Sequence, residues 1–207
     1  MIKVHHLDNS RSQRILWCLE EIGTPYEIVS YKRDPKTLRA PGGLRRIHPL
    51  GKAPILEEDG KVFAESGVII EYLVARHGPQ FAPTAGNDGY CRYRYWMHYA
   101  EGSLMPQLLL KLVADKLGLL AFPIRKMVGR EVALHLDHLE AEAGKYRWIA
   151  GDDLTAADFM MSYPLEAATH RAGLGPSRPN LWRLLTQIHE RPAYRRALER
   201  GRLYTGF

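Results

Sequence analysis

The spacing of apolar residues changes once, near residue 78, and that change constrains the fold of this chain more than any other feature. Before it, short segments alternate apolar and polar side chains; after it, apolar residues recur every three or four positions and no comparable alternating segment returns. Residues 2–6 alternate like a half-buried strand. A helix is expected to open at Ser10, carry Ile15, Leu16, Leu19 and Ile22 on one face, and stop at Gly23. Residues 26–31 read as a second strand, 35–47 as a weaker and very basic helix, and 54–56 with 61–64 as two short strands about the turn Glu58-Asp59-Gly60. Ser66 is placed to cap a helix bearing Val68, Ile69, Tyr72 and Leu73. The order β-α-β-α-β-β-α predicts a four-stranded mixed sheet with helices on its faces.

The Gly78-Pro79 pair divides the chain into a mixed domain over 1–78, a linker over 79–86 and an all-helical domain over 87–207, so the fold class is α/β plus all-α. Helical patterns are expected over 88–118, with a kink at Pro106, and over 123–146 with Val128, Val132, Leu136 and Leu139 in phase. Thr155-Ala-Ala-Asp158 has the form of a capping box and opens a third helix through about residue 168; two shorter ones cover 179–190 and 192–200. A chain of 207 residues buries enough core to need no disulfides. Its two cysteines, Cys18 and Cys91, lie in no metal-type spacing, so no metal is expected and a reducing compartment, the cytoplasm, is. Cys18, between Trp17 and Leu19 inside the first helix, reads as a buried structural thiol. No apolar run approaches the roughly 20 residues of a membrane span, and no secretory pattern opens the chain.

The balance of 29 basic and 23 acidic residues gives +6 and raises the question of nucleic acid. The excess is spread, with 12 basic and 10 acidic residues up to position 80 and 17 and 13 beyond it. Its densest part, Lys32, Arg33, Lys36, Arg39, Arg45 and Arg46, lacks the interleaved aromatics of a single-strand binder, so a solvated or small-anion-attracting face is expected and nucleic acid is not. Taken singly, the remaining motifs have plain structural readings. Ser10-x-x-Gln13 is a capping box, Pro54 can start a strand, and Ser66 is a good N-cap.

Together they say more. The run Ser10-Arg-Ser-Gln-Arg-Ile-Leu-Trp17, the segment His48-Pro-Leu-Gly-Lys-Ala-Pro-Ile-Leu56, the pair Glu65-Ser66 opening a helix and the late Asp153-Leu-Thr155-Ala-Ala-Asp158 box closely resemble the glutathione S-transferase superfamily, in order and across essentially the whole chain. The resemblance implies a thioredoxin-like N-terminal domain that binds glutathione, a helical C-terminal domain that forms most of an electrophile pocket, and a homodimer. With no tyrosine between residues 1 and 25, it is to the serine-type members, which makes Ser10 the residue that meets the glutathione sulfur. Serine in place of cysteine departs from the cysteine-bearing bacterial transferases and favours ionised glutathione over mixed-disulfide chemistry. Ser12 is expected to matter much less, because a helix starting at Ser10 would turn it about 200° away.

The same resemblance implies a cis bond before Pro54 that aims the Ala53 backbone at the cysteinyl part of glutathione, Lys52 near the glycyl carboxylate, and Glu65 with Ser66 at the γ-glutamyl end. His48 stands where asparagine is common. Arg11, His98, Glu101, Met105 and Leu109 are candidates for the electrophile pocket, and the tail Tyr204-Thr-Gly-Phe207 could fold over the site. The leading expectation is a transferase joining glutathione thiolate to small hydrophobic electrophiles. The alternatives are a glutathione-dependent peroxidase with the same site and a non-catalytic, protein-binding module of the same fold.

Overall fold

The computed structural model describes residues 1–201 except Pro35, Leu38 and Asn87, and the backbone alone of Leu119; the expectation for the tail 204–207 lies outside the described residues. In chain order the elements are β1 (Ile2–Leu7), α1 (Gln13–Ile22), β2 (Tyr26–Tyr31), α2 (Gly43–Ile47), β3 (Ile55–Glu58), β4 (Lys61–Ala64), α3 (Ser66–His77), α4 (Asp88–Tyr99), α5 (Met105–Leu117), α6 (Phe122–Ala143), α7 (Ala156–Ala172), α8 (Pro179–Glu190) and α9 (Pro192–Gly201). They form two compact units, Met1–Ala82 with the segment from His189 onward, and Pro83–Ile188. This division differs from the expected helical domain of 87–207, because α9 packs with the first unit.

In the first unit the sheet order is β2-β1-β3-β4, with β1 parallel to β2 and antiparallel to β3, and β3 antiparallel to β4. This is the four-stranded mixed sheet the periodicity predicted. Val4, Ile55 and Leu56 of the sheet, Ile15, Leu16 and Leu19 of α1, and Ile69, Ile70 and Leu73 of α3 are all fully buried and make its core. The β3–β4 hairpin turns on Asp59 and Gly60, both with positive φ (50° and 74°), the conformation that a two-residue Asp-Gly loop adopts most readily.

α9 is fastened to α1 by packing and charge. Trp17, fully buried, meets Tyr194 edge-on with ring centroids 5.6 Å apart. Arg191 grips both carboxylate oxygens of Glu21, which also accepts the Trp17 indole N–H at 2.9 Å, while Arg196 and Arg200 donate to Glu20 at 2.8 and 2.7 Å. Burial, and secondarily the Glu21 charge, push the Cys18 thiol far up, so it is an inert packing residue as expected.

Several boundaries differ from the sequence reading, each for a local reason. α1 begins at Gln13 rather than Ser10, because the Ser10 hydroxyl accepts the Ser12 N–H at 3.2 Å and the Ser10 carbonyl takes the Gln13 N–H at 3.2 Å, closing a tight turn ahead of the helix. The helix expected over 35–47 is confined to Gly43–Ile47; upstream, the Asp34 carboxylate takes the N–H groups of Lys36 and Thr37 at 2.9 and 2.7 Å and makes a turn instead. Ser66 is the first residue of α3, and Glu65 is the cap. Where a kink is expected at Pro106, helical backbone continues but changes to a π-helical stretch over Ala100–Leu104 immediately before α5, with Pro106 the second residue of α5.

In the second unit α7 is buried from Ala156 through Ala168 and packs against α4 and α5. Its start is the predicted capping box. The Asp158 carboxylate accepts the Thr155 N–H and, from outside the helix, the Ile149 N–H, each at 2.9 Å. Burial pushes this carboxyl from its ordinary 3.8 up to about 6, against the pull of those N–H groups and the Thr155 hydroxyl. Between about pH 4 and pH 6 the folded protein therefore keeps a proton that the unfolded chain has released, so this group makes stability fall as pH rises through that window and level off above it. Asp158→Asn should remove that slope, read as the pH dependence of the urea midpoint relative to wild type. Asp158→Ala, which strips both N–H groups of their acceptor, should cost about 2–4 kcal/mol.

Candidate active site

The strand register decides which residues meet at the site. His5 of β1 stands opposite Ile55 of β3, and Ile55 opposite Ala64 of β4. The carboxyl ends of β1, β2 and β4 and the start of β3 thus share one edge of the sheet, and carboxyl ends are where such sheets bind ligands. The segments that leave or enter at this edge hold residues 8–12, Lys32 with Arg33, Ala53 with Pro54, and Glu65 with Ser66. The structure therefore brings together Ser10, Arg11, Ala53, Pro54, Glu65 and Ser66 at the N-termini of α1 and α3, with exposed Lys52 next to them. The Ala53–Pro54 bond is cis, as expected.

The loop carrying Ser10 is tightly held. Asn9 adopts positive φ (52°), a conformation asparagine tolerates better than most residues, and Arg33 donates to the Asp8 and Asn9 carbonyls at 3.1 and 3.2 Å. Ser10 is nearly buried, and its Oγ lies 2.7 Å from Ser12 Oγ. The expectation that these two serines point to different sides is overturned: both precede the helix, so the 100° helical step does not separate them. Ser12, fully buried, continues to His6 Nδ1 at 2.8 Å, and His6 Nε2 reaches the Gly201 carbonyl at 2.6 Å.

At the neighbouring helix start, Glu65 has φ 69° and ψ 124°, a backbone conformation that costs a non-glycine residue roughly 1–3 kcal/mol and marks a site where the surrounding fold imposes geometry. Ser66 beside it accepts a hydrogen bond at 2.9 Å from Arg14, a cation that is itself 1% exposed. With its oxygen so engaged, the Ser66 hydroxyl hydrogen is directed to another acceptor, and the Arg14 charge lies directly behind it. That pairing suits an anionic group. Among the described residues no group of three or more His, Cys, Asp or Glu side chains could hold a metal ion.

On the second unit, His98 is exposed on α4 and takes an Arg94 N–H at 3.0 Å, Glu101 is half-buried in the π-helical stretch, and Leu109 is exposed on α5. Met105 is only 2% exposed and belongs to the core of that unit. Arg14, His6 and Ser12 were missed as site-shaping residues. Arg14 had a visible signal, a cation on the turn of α1 that otherwise reads as apolar. His6 and Ser12 had none, because their link joins a strand to a turn and continues to Gly201, 195 positions away from His6.

Comparison with known proteins identifies the family and the fold. Residues 1–75 match the model of the glutathione S-transferase N-terminal domain. The chain is 37% identical to glutathione S-transferase 3 of Schizosaccharomyces pombe over 97% of its length and 88% of that protein, and 35% identical to glutathione S-transferase 1 of Saccharomyces cerevisiae over 98% and 96%. A glutathione S-transferase crystal structure from Actinobacillus pleuropneumoniae superposes with a TM-score of 0.89 at 37% identity, covering 97% of this chain and 93% of that one. A glutathione transferase homologue from Sulfitobacter, solved with bound glutathione, shares the fold at a TM-score of 0.81 and 19% identity, over 98% and 99%. Full-length likeness at this level, to relatives named as transferases and on a thioredoxin-like domain followed by helices, makes this chain a transferase of the glutathione S-transferase superfamily.

Proposed function

We propose that this transferase binds glutathione across the strand edge, ionises its thiol at Ser10 and joins the thiolate to a small hydrophobic electrophile. The observation that carries this reading is the convergence of Ser10, the cis Ala53–Pro54 pair and the Glu65-Ser66 helix start on one edge, with Arg14 buried behind Ser66. Glutathione fits that set. The Ser66 hydroxyl and the α3 N-terminus suit the γ-glutamyl carboxylate, and the exposed Glu65 carboxylate suits its ammonium. The Ala53 backbone would pair with the cysteinyl unit, and Lys52 would take the glycyl carboxylate. The buried arginine aimed at the Ser66 hydroxyl supports a ligand-binding role for this helix start.

Ser10 would act on the thiol by donating a hydrogen bond to the thiolate at the start of α1. Lowering a thiol from about 8.5 to about 6.5 takes roughly 2.7 kcal/mol. A charge-assisted hydrogen bond together with a helix N-terminus supplies that much. For the electrophile, Arg11 is the candidate on the first unit, and the α4–α5 stripe of His98, Glu101 and Leu109 is the candidate on the second. Two free cysteines suit a reducing compartment such as the cytoplasm.

Ser10→Ala is expected to raise the pKa of bound glutathione by about one to two units and to lower kcat near neutral pH with the fold intact, read from thiolate absorbance and conjugation rate across pH. Glu65→Ala and Ser66→Ala, remote from sulfur, should instead raise KM for glutathione several-fold with kcat largely kept. An unchanged KM in both removes the γ-glutamyl assignment.

We also propose a homodimer. Tyr95 on α4, Met127 and Leu134 on α6, and Val62 and Val68 of the first unit are between 46 and 63% exposed, large apolar side chains that a closed twofold pairing would cover. Light scattering at micromolar concentration should give twice the 23.6 kDa chain mass. A single chain mass defeats the pairing.

A further inference from the structure

The hydrogen-bond chain beneath Ser10 has a direction, and one proton reverses it. Gly201 meets His6 Nε2 through a carbonyl, which can only accept, so Nε2 carries its hydrogen in both charge states of the ring. In the neutral ring Nδ1 is an acceptor, and the Ser12 hydroxyl donates to it at 2.8 Å; the Leu7 carbonyl, at 3.3 Å, is the weaker alternative. With its hydrogen committed, Ser12 Oγ receives the Leu7 N–H at 3.2 Å and the Ser10 hydroxyl at 2.7 Å. Ser10 then presents only lone pairs outward. In that state it can accept a hydrogen bond from a thiol but cannot donate one to a thiolate.

Protonating Nδ1 reverses the two bonds that join His6, Ser12 and Ser10. The ring then donates to Ser12 Oγ, the Ser12 hydroxyl donates to Ser10 Oγ, and the Ser10 hydroxyl is released outward, where a thiolate needs it. From this we propose that His6 is the store for the glutathione proton, reached through Ser10 and Ser12; the inference rests on the reading of Ser10 as the thiol-holding residue. Ser10 Oγ takes the proton from sulfur as its own hydrogen passes to Ser12 Oγ and the Ser12 hydrogen passes to His6 Nδ1. The S–H electron pair stays on sulfur, nothing is oxidised, and the products are a thiolate facing the Ser10 hydroxyl and an imidazolium. His6 acts through two hydroxyls and never touches substrate, so it is a positioning residue.

The surroundings favour charge at this place. The Gly201 carbonyl, in the last described turn of α9, points its negative end at the ring and so favours a cation there. The approach requires glycine: a Cβ at position 201 would stand 2.5 Å from Leu16 Cδ1 and 3.3 Å from His6 Cε1. Of the charged groups on the packed elements, His5 of the same strand turns to Tyr31 and Glu57, and Arg14 of α1 turns to Ser66. Glu20 and Glu21 of α1 are held by Arg196, Arg200 and Arg191 of α9. On β2, neutral Ser30 stands opposite His6.

The decisive measurement is where the proton goes when glutathione binds. In the wild type near neutral pH, thiolate absorbance should rise with much less than one proton released per thiolate, counted by calorimetry in buffers of differing ionisation enthalpy. Nitrogen NMR of the wild type should show the His6 ring change from neutral to imidazolium. His6→Asn keeps a side-chain acceptor but no base, and Ser12→Ala cuts the chain. Both should release about one proton per thiolate, with the thiol pKa about one unit higher and conjugation about tenfold slower below that pKa, converging with wild type well above it. One proton released per thiolate by the wild type, or a neutral His6 ring beside bound thiolate, overturns the relay and leaves the transferase site standing. No binding of millimolar glutathione by the folded wild type overturns both. The wild-type proton count and spectrum decide the matter even if a variant fails to fold.

Discussion

The antiparallel register of β1 with β3 is the constraint on which the rest of the site depends. His5 opposite Ile55, and Ile55 opposite Ala64, is the arrangement that lets the residues after β1, before β3 and after β4 share one edge. A slip of one residue would exchange the faces to which the adjacent Ile55 and Leu56 turn, undoing their packing, and carry Pro54 and Glu65 away from Ser10. Several fully buried side chains resist that slip at once. The core thereby sets the site geometry before any polar contact is counted, and the strained φ of Glu65 is sustained by it.

A second constraint comes from the far end of the chain. α9 lies on α1 through Trp17 against Tyr194 and through three arginines on Glu20 and Glu21. These ion pairs are partly exposed and each contributes little alone, whereas the buried aromatic contact supplies most of the hold. What the arginines add is registry. They hold α9 along α1 in the position that puts the Gly201 carbonyl on His6. The C-terminal helix thus reaches the floor of the site without contributing a residue to its surface.

Much of this was legible in the sequence because the relevant signals are local or periodic. Alternation at 2–6 and 26–31, the Asp59-Gly60 turn, the Gly23 stop with φ 79° and the Thr155–Asp158 box are each decided within a few residues. The superfamily followed from four motifs in order. The failures share a different cause. Serine at position 10 and aspartate at position 34 each bond nearby backbone N–H groups, and whether such a bond opens a helix or closes a turn depends on geometry that residue type does not encode. The pairing of Arg14 with Ser66, 52 positions apart, and of His6 with Gly201, 195 apart, has no local trace at all.

The two buried polar features at the site answer different physical problems. Arg14 is a fixed charge: it cannot lose its proton, so in the proposed glutathione site it would attract an anion at Ser66 at every accessible pH and add no pH dependence of its own. The serine chain is the opposite, a set of neutral groups whose orientation follows one proton. A hydroxyl is a good partner for a thiol or for a thiolate, but it needs opposite orientations for the two. An isolated serine would have to rotate its hydrogen in a nearly closed space, abandoning the 2.7 Å contact to Ser12 when the thiolate forms. On the proposed relay, linking it to a second hydroxyl and a base that reorients both would keep those bonds made in both states, and would avoid the cost of about 1–3 kcal/mol that a buried unpaired group carries. On the proposed relay the hydroxyl at Ser12, which a helical wheel would dismiss, would be as much a part of the site as the hydroxyl at Ser10.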